Sequence, residues 1–228
     1  MELVAQELSH VIEDSTDSLW PFVSLGRYYQ SQSLWSEVQH WYQSCLKRTE
    51  ERFGSDHPDT ALSLNNLAEL YRTMGRYEDA EPLYTRSLQI NEAQLGPDHP
   101  STALSLNNLA ALYRTMGRYE DADPLYTRSL QIREAQLGPD HPDTALSYNN
   151  MAMFLHGLER YAESANFGVK ALEVFLAKLG QDHPNTQTVG NNFIAILRKV
   201  IETNQTQQLS DHPLTQTSLK ILLSEESE

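Results

Sequence analysis

Apolar residues return to one side of a helix again and again along this chain, and the whole pattern recurs every 42 residues. Within His57 to Asp98, Leu64, Leu67, Ala68 and Tyr71 stand at i, i+3, i+4 and i+7, one face of an α-helix. That spacing predicts a helix over 59–74, broken by Gly75. Tyr77, Ala80, Leu83, Tyr84, Leu88 and Leu95 then predict a second helix over about 77–94, ended by Gly96 as glycine ends a helix when the chain must turn left-handed. Asp98-His99-Pro100 opens the next unit, the proline suiting a first helical turn. Pro82 and Pro124 lie well inside the second helices and predict a bend, since the apolar pattern continues through them.

Two copies, His57–Asp98 and His99–Asp140, differ at four places: Asp59/Ser101, Glu69/Ala111, Glu81/Asp123 and Asn91/Arg133. The flanking copies have drifted. Residues 15–56 keep Leu25, Gly26, Tyr29, Trp35, Tyr42, Leu46, Phe53 and Gly54. Residues 141–182 keep Ala152, Tyr161, Leu172 and Gly180, but Gly157 is displaced from the turn, Ser164 replaces the small alanine and Gly168 replaces the tyrosine. A partial copy follows over 183–200, then a polar loop over 201–212, then a C-terminal cap helix and acidic tail over 213–228; residues 1–14 are expected to form an N-terminal cap helix. A helix pair of this kind cannot bury its apolar face alone, so the units must stack, with atypical units as caps.

The run Leu67-Ala68, Tyr71, Gly75, Tyr77, Ala80, Tyr84, repeated as Leu109-Ala110, Tyr113, Gly117, Tyr119, Ala122, Tyr126, resembles the tetratricopeptide repeat. The usual period of that repeat is about 34. The longer second helix, the Asn-Asn-Leu-Ala string and the Leu-Gly-Pro-Asp-His-Pro linker resemble the kinesin light chain class, over residues 15 to 200. The resemblance implies an all-α, right-handed α-α superhelix of antiparallel helix pairs, and a ligand groove lined by the first helices. No heptad coiled coil accompanies the repeats, so only the repeat class carries over.

Projected at about 100° per residue, Leu62, Asn65, Asn66, Glu69, Arg72 and Thr73 fall on or beside the face away from the core side. Two asparagines recur there in four units: Asn65 and Asn66, Asn107 and Asn108, Asn149 and Asn150, Asn191 and Asn192. A carboxamide offers the acceptor and donors that match a peptide backbone. The family resemblance favours the second of each pair, Asn66, Asn108, Asn150 and Asn192, as ligand contacts, with the first nearer the core edge and structural. The alternative is that the amides bond to neighbouring helices. Leu62 and Leu104, with Leu146, offer apolar footholds. Arg27, Arg72, Arg114, Arg198 and Lys199 map to the same face with Glu69 as the lone carboxylate, so the groove either attracts an acidic peptide or C-terminal carboxylate, or Arg72 and Arg114 pair with nearby acids.

Net charge is −14, which opposes nucleic acid and anionic membranes as partners. No apolar run approaches the roughly 20 residues of a membrane helix, and the start Met1-Glu2-Leu3 lacks a signal-peptide pattern. Cys45 is the only cysteine, at an apolar helix position, and is expected to be a buried thiol in a reducing, cytoplasmic setting. His57, His99, His141, His183 and His212 sit in Asp-His-Pro turns, where helix capping outweighs metal ligation. No catalytic constellation, cofactor motif or metal pattern is present. The expected function is non-enzymatic binding of an extended protein segment. A self-associating structural solenoid, or the sensory part of a larger signalling protein or enzyme, are the alternatives.

Overall fold

The computed structural model describes residues 35–225. The cap helix expected over 1–14, the pattern residues Leu25, Gly26 and Tyr29, and Arg27 lie outside the described residues. Among those described, every regular element is helical: α1 Trp35–Phe53, α2 Pro58–Thr73, α3 Tyr77–Leu95, α4 Pro100–Thr115, α5 Tyr119–Leu137, α6 Pro142–Gly157, α7 Tyr161–Leu179, α8 Pro184–Glu202, a 3-10 turn Thr206–Gln208, and α9 Pro213–Glu225. The chain divides into two compact units between Pro97 and Asp98. In the first, α2 packs on α1 and on α3. In the second, consecutive helices from α4 to α8 pack in turn, and the first helices of successive hairpins, α4, α6 and α8, also touch.

The apolar stripe read from the sequence is the core stripe. Leu64, Leu67, Ala68 and Tyr71 are all buried, as are Leu106, Leu109 and Ala110 one period later. Ala68, Ala80, Ala110 and Ala122 have no exposed surface, so paired helices meet at their Cβ atoms. Neither proline breaks its helix: α3 and α5 run through Pro82 and Pro124. Each proline removes one ladder bond, yet its fixed φ is itself helical.

Polar residues that the apolar pattern passes over complete the hairpins. Ser87 Oγ donates to Ala61 O at 2.8 Å and Ser129 Oγ to Ala103 O at 2.7 Å, both wholly buried. Each ties the second helix of a hairpin to the backbone of the first. Arg133, which stands where the preceding copy has Asn91, donates Nη1 to Asp143 O and Ser147 Oγ at 2.9 Å and so links α5 to α6. Cys45 is buried against Ser63 Oγ at 3.5 Å, and burial pushes its thiol up.

Every described Asp-His-Pro histidine caps a helix. Nδ1 of His57, His99, His141, His183 and His212 accepts from the backbone N–H two residues on, at 3.1–3.3 Å. The turn between paired helices is equally regular. Arg76 N donates to Tyr71 O at 2.8 Å and Gly75 N to Arg72 O at 3.1 Å, with Gly75 at φ +75°; the same bonds recur around Gly117. This is the two-bond helix stop that needs a left-handed residue. In the third hairpin the stop is conserved in shape but not in residue. Arg160 N reaches Leu155 O at 3.0 Å, and the left-handed position is held by Glu159 at φ +60°. Gly157, the displaced glycine, merely ends α6. A side chain in this region carries a steric cost of about 1–2 kcal/mol. Glu159→Gly should therefore raise stability by about 1 kcal/mol, read as a higher urea midpoint with an unchanged slope.

The drifted repeat is repacked rather than loosened. Ser164 Oγ donates to Ala152 O at 2.6 Å, so the hydroxyl in the alanine position is satisfied. Gly168, in the tyrosine position, leaves room for Phe193 of α8: a Cβ there would stand 3.0 Å from Phe193 Cδ2. Phe193 is wholly buried with Val169, Ile196, Leu197 and Val200. The polar segment after α8 contributes Leu209 to this cluster, and α9 adds Leu222. The single leucine in an otherwise polar stretch is thus an anchor, which the sequence reading of 201–212 as a loop did not foresee.

Candidate functional site

In the unit before Asp98, α2 carries Leu62, Asn65, Asn66, Glu69 and Arg72. Leu62 is 42% exposed, Asn66 half-buried and Asn65 buried. Arg72 does not face an open groove. Its Nε and Nη2 grip the Glu69 carboxylate at 2.9 and 2.5 Å, and Tyr84 donates its hydroxyl to Glu69 Oε2 at 2.6 Å. Burial raises the Glu69 carboxyl, but bonds from Arg72 and Tyr84 outweigh it and hold the group below the usual carboxylate range. Burial and the neighbouring Glu69 push the Tyr84 phenol well up. The triad is a neutralised, self-contained unit. Of the two readings left open for Arg72, internal pairing is the one seen here.

In the unit from Asp98, the asparagine pairs form bonds between rungs. Asn150 Nδ2 donates to Asn107 Oδ1 at 2.8 Å, and Asn192 Nδ2 donates to Asn149 Oδ1 at 3.1 Å. Asn107 Nδ2 also donates to Asn108 Oδ1 at 3.2 Å. In both bonds the first asparagine of one rung accepts from the second asparagine of the next. Asn107 is buried, whereas Asn149 is half-buried and Asn191 exposed, so only part of the first series lies at the core edge. Asn108, Asn150 and Asn192 are all half-buried. Each inter-rung bond uses one of the two amide protons of the donating asparagine. From the sequence, ligand contact and scaffold bonding were alternatives for these amides. The geometry shows a scaffold role that the spacing alone cannot reveal.

Leu104 and Leu146 are 38% and 37% exposed, at the same position of α4 and α6. Arg114 occupies the Arg72 position of its repeat, but the Glu69 position is Ala111. Its Nε is buried and has no hydrogen-bond partner. An unsatisfied buried donor costs about 1–3 kcal/mol. One repeat further, His156 takes the same column position, and burial and then Lys199 hold its imidazole below the ordinary value. Lys199 itself pairs with Glu202 at 2.6 Å. Arg198 is exposed. Among the described residues no group of three metal-ligating side chains could hold an ion, and no helix is long and apolar enough to cross a membrane.

The tetratricopeptide repeat family model matches residues 17–93, 64–135 and 107–177. A structure of nearly identical TPR-like repeats of the kinesin light chain type from Podosopora anserina superposes with a TM-score of 0.67 at 19% identity, covering 91% of this chain and 96% of that one. BtubC (BKLC) from P. vanneervenii superposes with a TM-score of 0.68 at 20% identity, covering 90% and 80%. The apo form of RapI gives 0.62 at 15% identity, covering 95% of this chain and 62% of that one. At these identities the likeness concerns the fold. Among curated proteins no match is found.

Proposed function

The chain belongs to the tetratricopeptide repeat family, and on that premise we propose that it is a non-enzymatic interaction module that seats an extended segment of another protein across α4, α6 and α8, the first helices of the hairpins in the unit from Asp98. One observation supports this above the rest. In the unit from Asp98, α4, α6 and α8 stand side by side, and the face they share repeats one chemistry: an exposed leucine at 104 and 146, and a half-buried second asparagine at 108, 150 and 192. Neighbouring helices lie about 8–10 Å apart and an extended peptide advances about 3.3 Å per residue, so each rung meets about every third residue of such a ligand. The amide proton that Asn150 and Asn192 do not spend on the rung bond, and the second lone pair of a carboxamide oxygen, match a peptide backbone, at about 0.5–1.5 kcal/mol net per bond. In the unit before Asp98, Leu62 and Asn66 offer the same pair of groups. Glu69 and Arg72 are occupied with each other and contribute no net charge to recognition. The reading gives main-chain affinity with weak side-chain selection, in a reducing cytoplasmic setting.

The test leaves the asparagines intact, because they also bond within the scaffold. A random peptide library displayed on phage is selected against the wild-type chain, and affinities of the selected peptides are compared with those for Leu104→Ser/Leu146→Ser. Each leucine is exposed, so the double variant should melt within about 0.5 kcal/mol per site of wild type. Loss of the apolar contact should weaken the peptides about tenfold. Equal affinities, or no selectable peptide at all, would remove the reading.

A further inference from the structure

We infer that the segment from Thr206 through α9 is a releasable strap: it closes the end of the unit from Asp98, and it opens in a step of its own while the hairpins beneath stay folded. The sequence of α9 is that of a first helix. His212-Pro213, Thr215, Ser218, Leu219 and Leu222 repeat the identity and spacing of His57-Pro58, Thr60, Ser63, Leu64 and Leu67 in α2. In other first helices this threonine has a definite partner. Thr60 Oγ1 donates to Gly54 O at 2.8 Å, Thr144 Oγ1 to Arg133 O at 3.3 Å and Thr186 Oγ1 to Phe175 O at 3.4 Å. Each acceptor lies in the closing turns of the preceding second helix or just past them. Thr215 is as deeply buried, at 1% exposure, and its Oγ1 meets no acceptor. Ser210 Oγ, on the approach to α9, is also buried without a partner.

The cause is a helix left out of the repeat. Asp-His-Pro turns recur every 42 positions from His57 to His183, but His212 follows His183 by only 29. The second helix, 19 residues long in α3, α5 and α7, is replaced by the polar turn after α8. α9 therefore rests against α7 and α8 with no fresh helix end for its threonine, since Thr186 already bonds the end of α7. The seat is correspondingly shallow. Leu64 and Leu67 are both buried in α2, whereas α9 buries Leu222 and covers Leu219 only in part, with Ile221 and Leu223 53% and 45% exposed. Leu209 adds an apolar anchor. His212 Nε2 reaches Glu173 Oε2 at 3.4 Å, but that carboxylate is largely exposed and such a pair contributes little. The two buried hydroxyls oppose the seat, because they regain hydrogen bonds to water on opening. Helix α8 is closed by its own two-bond stop, Gln205 N to Val200 O at 2.9 Å and Asn204 N to Ile201 O at 3.0 Å, with Asn204 at φ +55°. The opening therefore pivots after Gln205, leaves α8 intact and uncovers the Val200 end of the apolar cluster in a minor state.

The test is native-state hydrogen exchange of the full chain, read by mass spectrometry on fragments that cover α2, α8 and α9 separately. In the wild type, α9 should be protected at least about tenfold less than α8, through an opening with little urea dependence. Simple fraying of a helix end gives the same ranking, so the decisive readout is Thr215→Val, which keeps the side-chain shape and removes the hydroxyl. It should slow exchange in α9 about tenfold and leave α8 unchanged. Thr60→Val removes a hydroxyl that is bonded, so it should act in the opposite direction and speed exchange in α2. Ser210→Ala addresses the second orphan and should again slow α9. Slower exchange of α9 in either the Thr215 or the Ser210 variant supports the strap. Unchanged or faster exchange in both, or one shared protection for α8 and α9 in the wild type, would overturn it.

Discussion

Replacing Gly168 with tyrosine, the residue that both preceding copies carry at this position, will destabilise the chain by about 3 kcal/mol or more. Restoring a repeat consensus ordinarily helps. Here the third hairpin has exchanged a large side chain on α7 for one on α8. Even a bare Cβ at Gly168 would lie 3.0 Å from Phe193 Cδ2 and 3.6 Å from Ile196 Cδ1. Phe193 and Ile196 are at 0% and 1% exposure, so neither has solvent to move into. A tyrosine ring must displace Phe193, and with it the cluster that holds Leu209 and Leu222 over the end of the unit. Gly168→Ala is the control. It asks a few tenths of an ångström of Phe193 and gains about 1 kcal/mol of helix propensity, so it should stay close to wild type. No tryptophan lies beyond Trp41, so far-UV circular dichroism in urea is the appropriate probe. A tyrosine variant within 1 kcal/mol of wild type (about the alanine control) would show that the close approach of α7 and α8 is not rigid.

The helices and their core stripe were legible because they rest on one-dimensional facts. A 42-residue period, Leu64-Leu67-Ala68-Tyr71 at helical spacing and glycine at Gly75 and Gly96 predict α2 and α3 to within a residue or two. Helix capping by the Asp-His-Pro histidines was legible for the same reason, since cap and capped N–H are two residues apart. Features that depend on distance across the stack were not. The displaced Gly157 suggested a disturbed turn, but the stop requires a left-handed position rather than a glycine, and Glu159 supplies it. Likewise the loss of tyrosine at Gly168 reads as drift until Phe193 is seen in its place. The asparagine pairs were visible as a period, while the bond from one rung to the next, across 43 positions, needs coordinates. The Glu69/Ala111 difference was plain in the sequence, and its consequence for Arg72 and Arg114 was one of two open readings until the bonds were seen.

Those inter-rung bonds set the second large effect. Asn150→Ala removes the donor to Asn107 Oδ1, and Asn107 is only 7% exposed. The loss is therefore more than one hydrogen bond of about 0.5–1.5 kcal/mol net, because a buried acceptor is left without its partner; about 1–3 kcal/mol is expected. Asn107→Ala alone should cost a similar amount, since it strips the acceptor from Asn150 and the partner from Asn108. Removing both at once leaves no orphan, so the double variant should cost less than the two single changes added together. The double-mutant cycle then reports the rung directly, with a coupling of about 1 kcal/mol. Asn108 is half-buried, accepts from Asn107, and is the member of the pair that we propose meets the ligand. An amide held in register by its neighbours would lose little freedom when a peptide arrives, so the scaffold bond would favour the proposed recognition role. Strict additivity in the cycle would mean that the two carboxamides do not sense each other in solution, and the rungs would then have to be held in register by the apolar core alone.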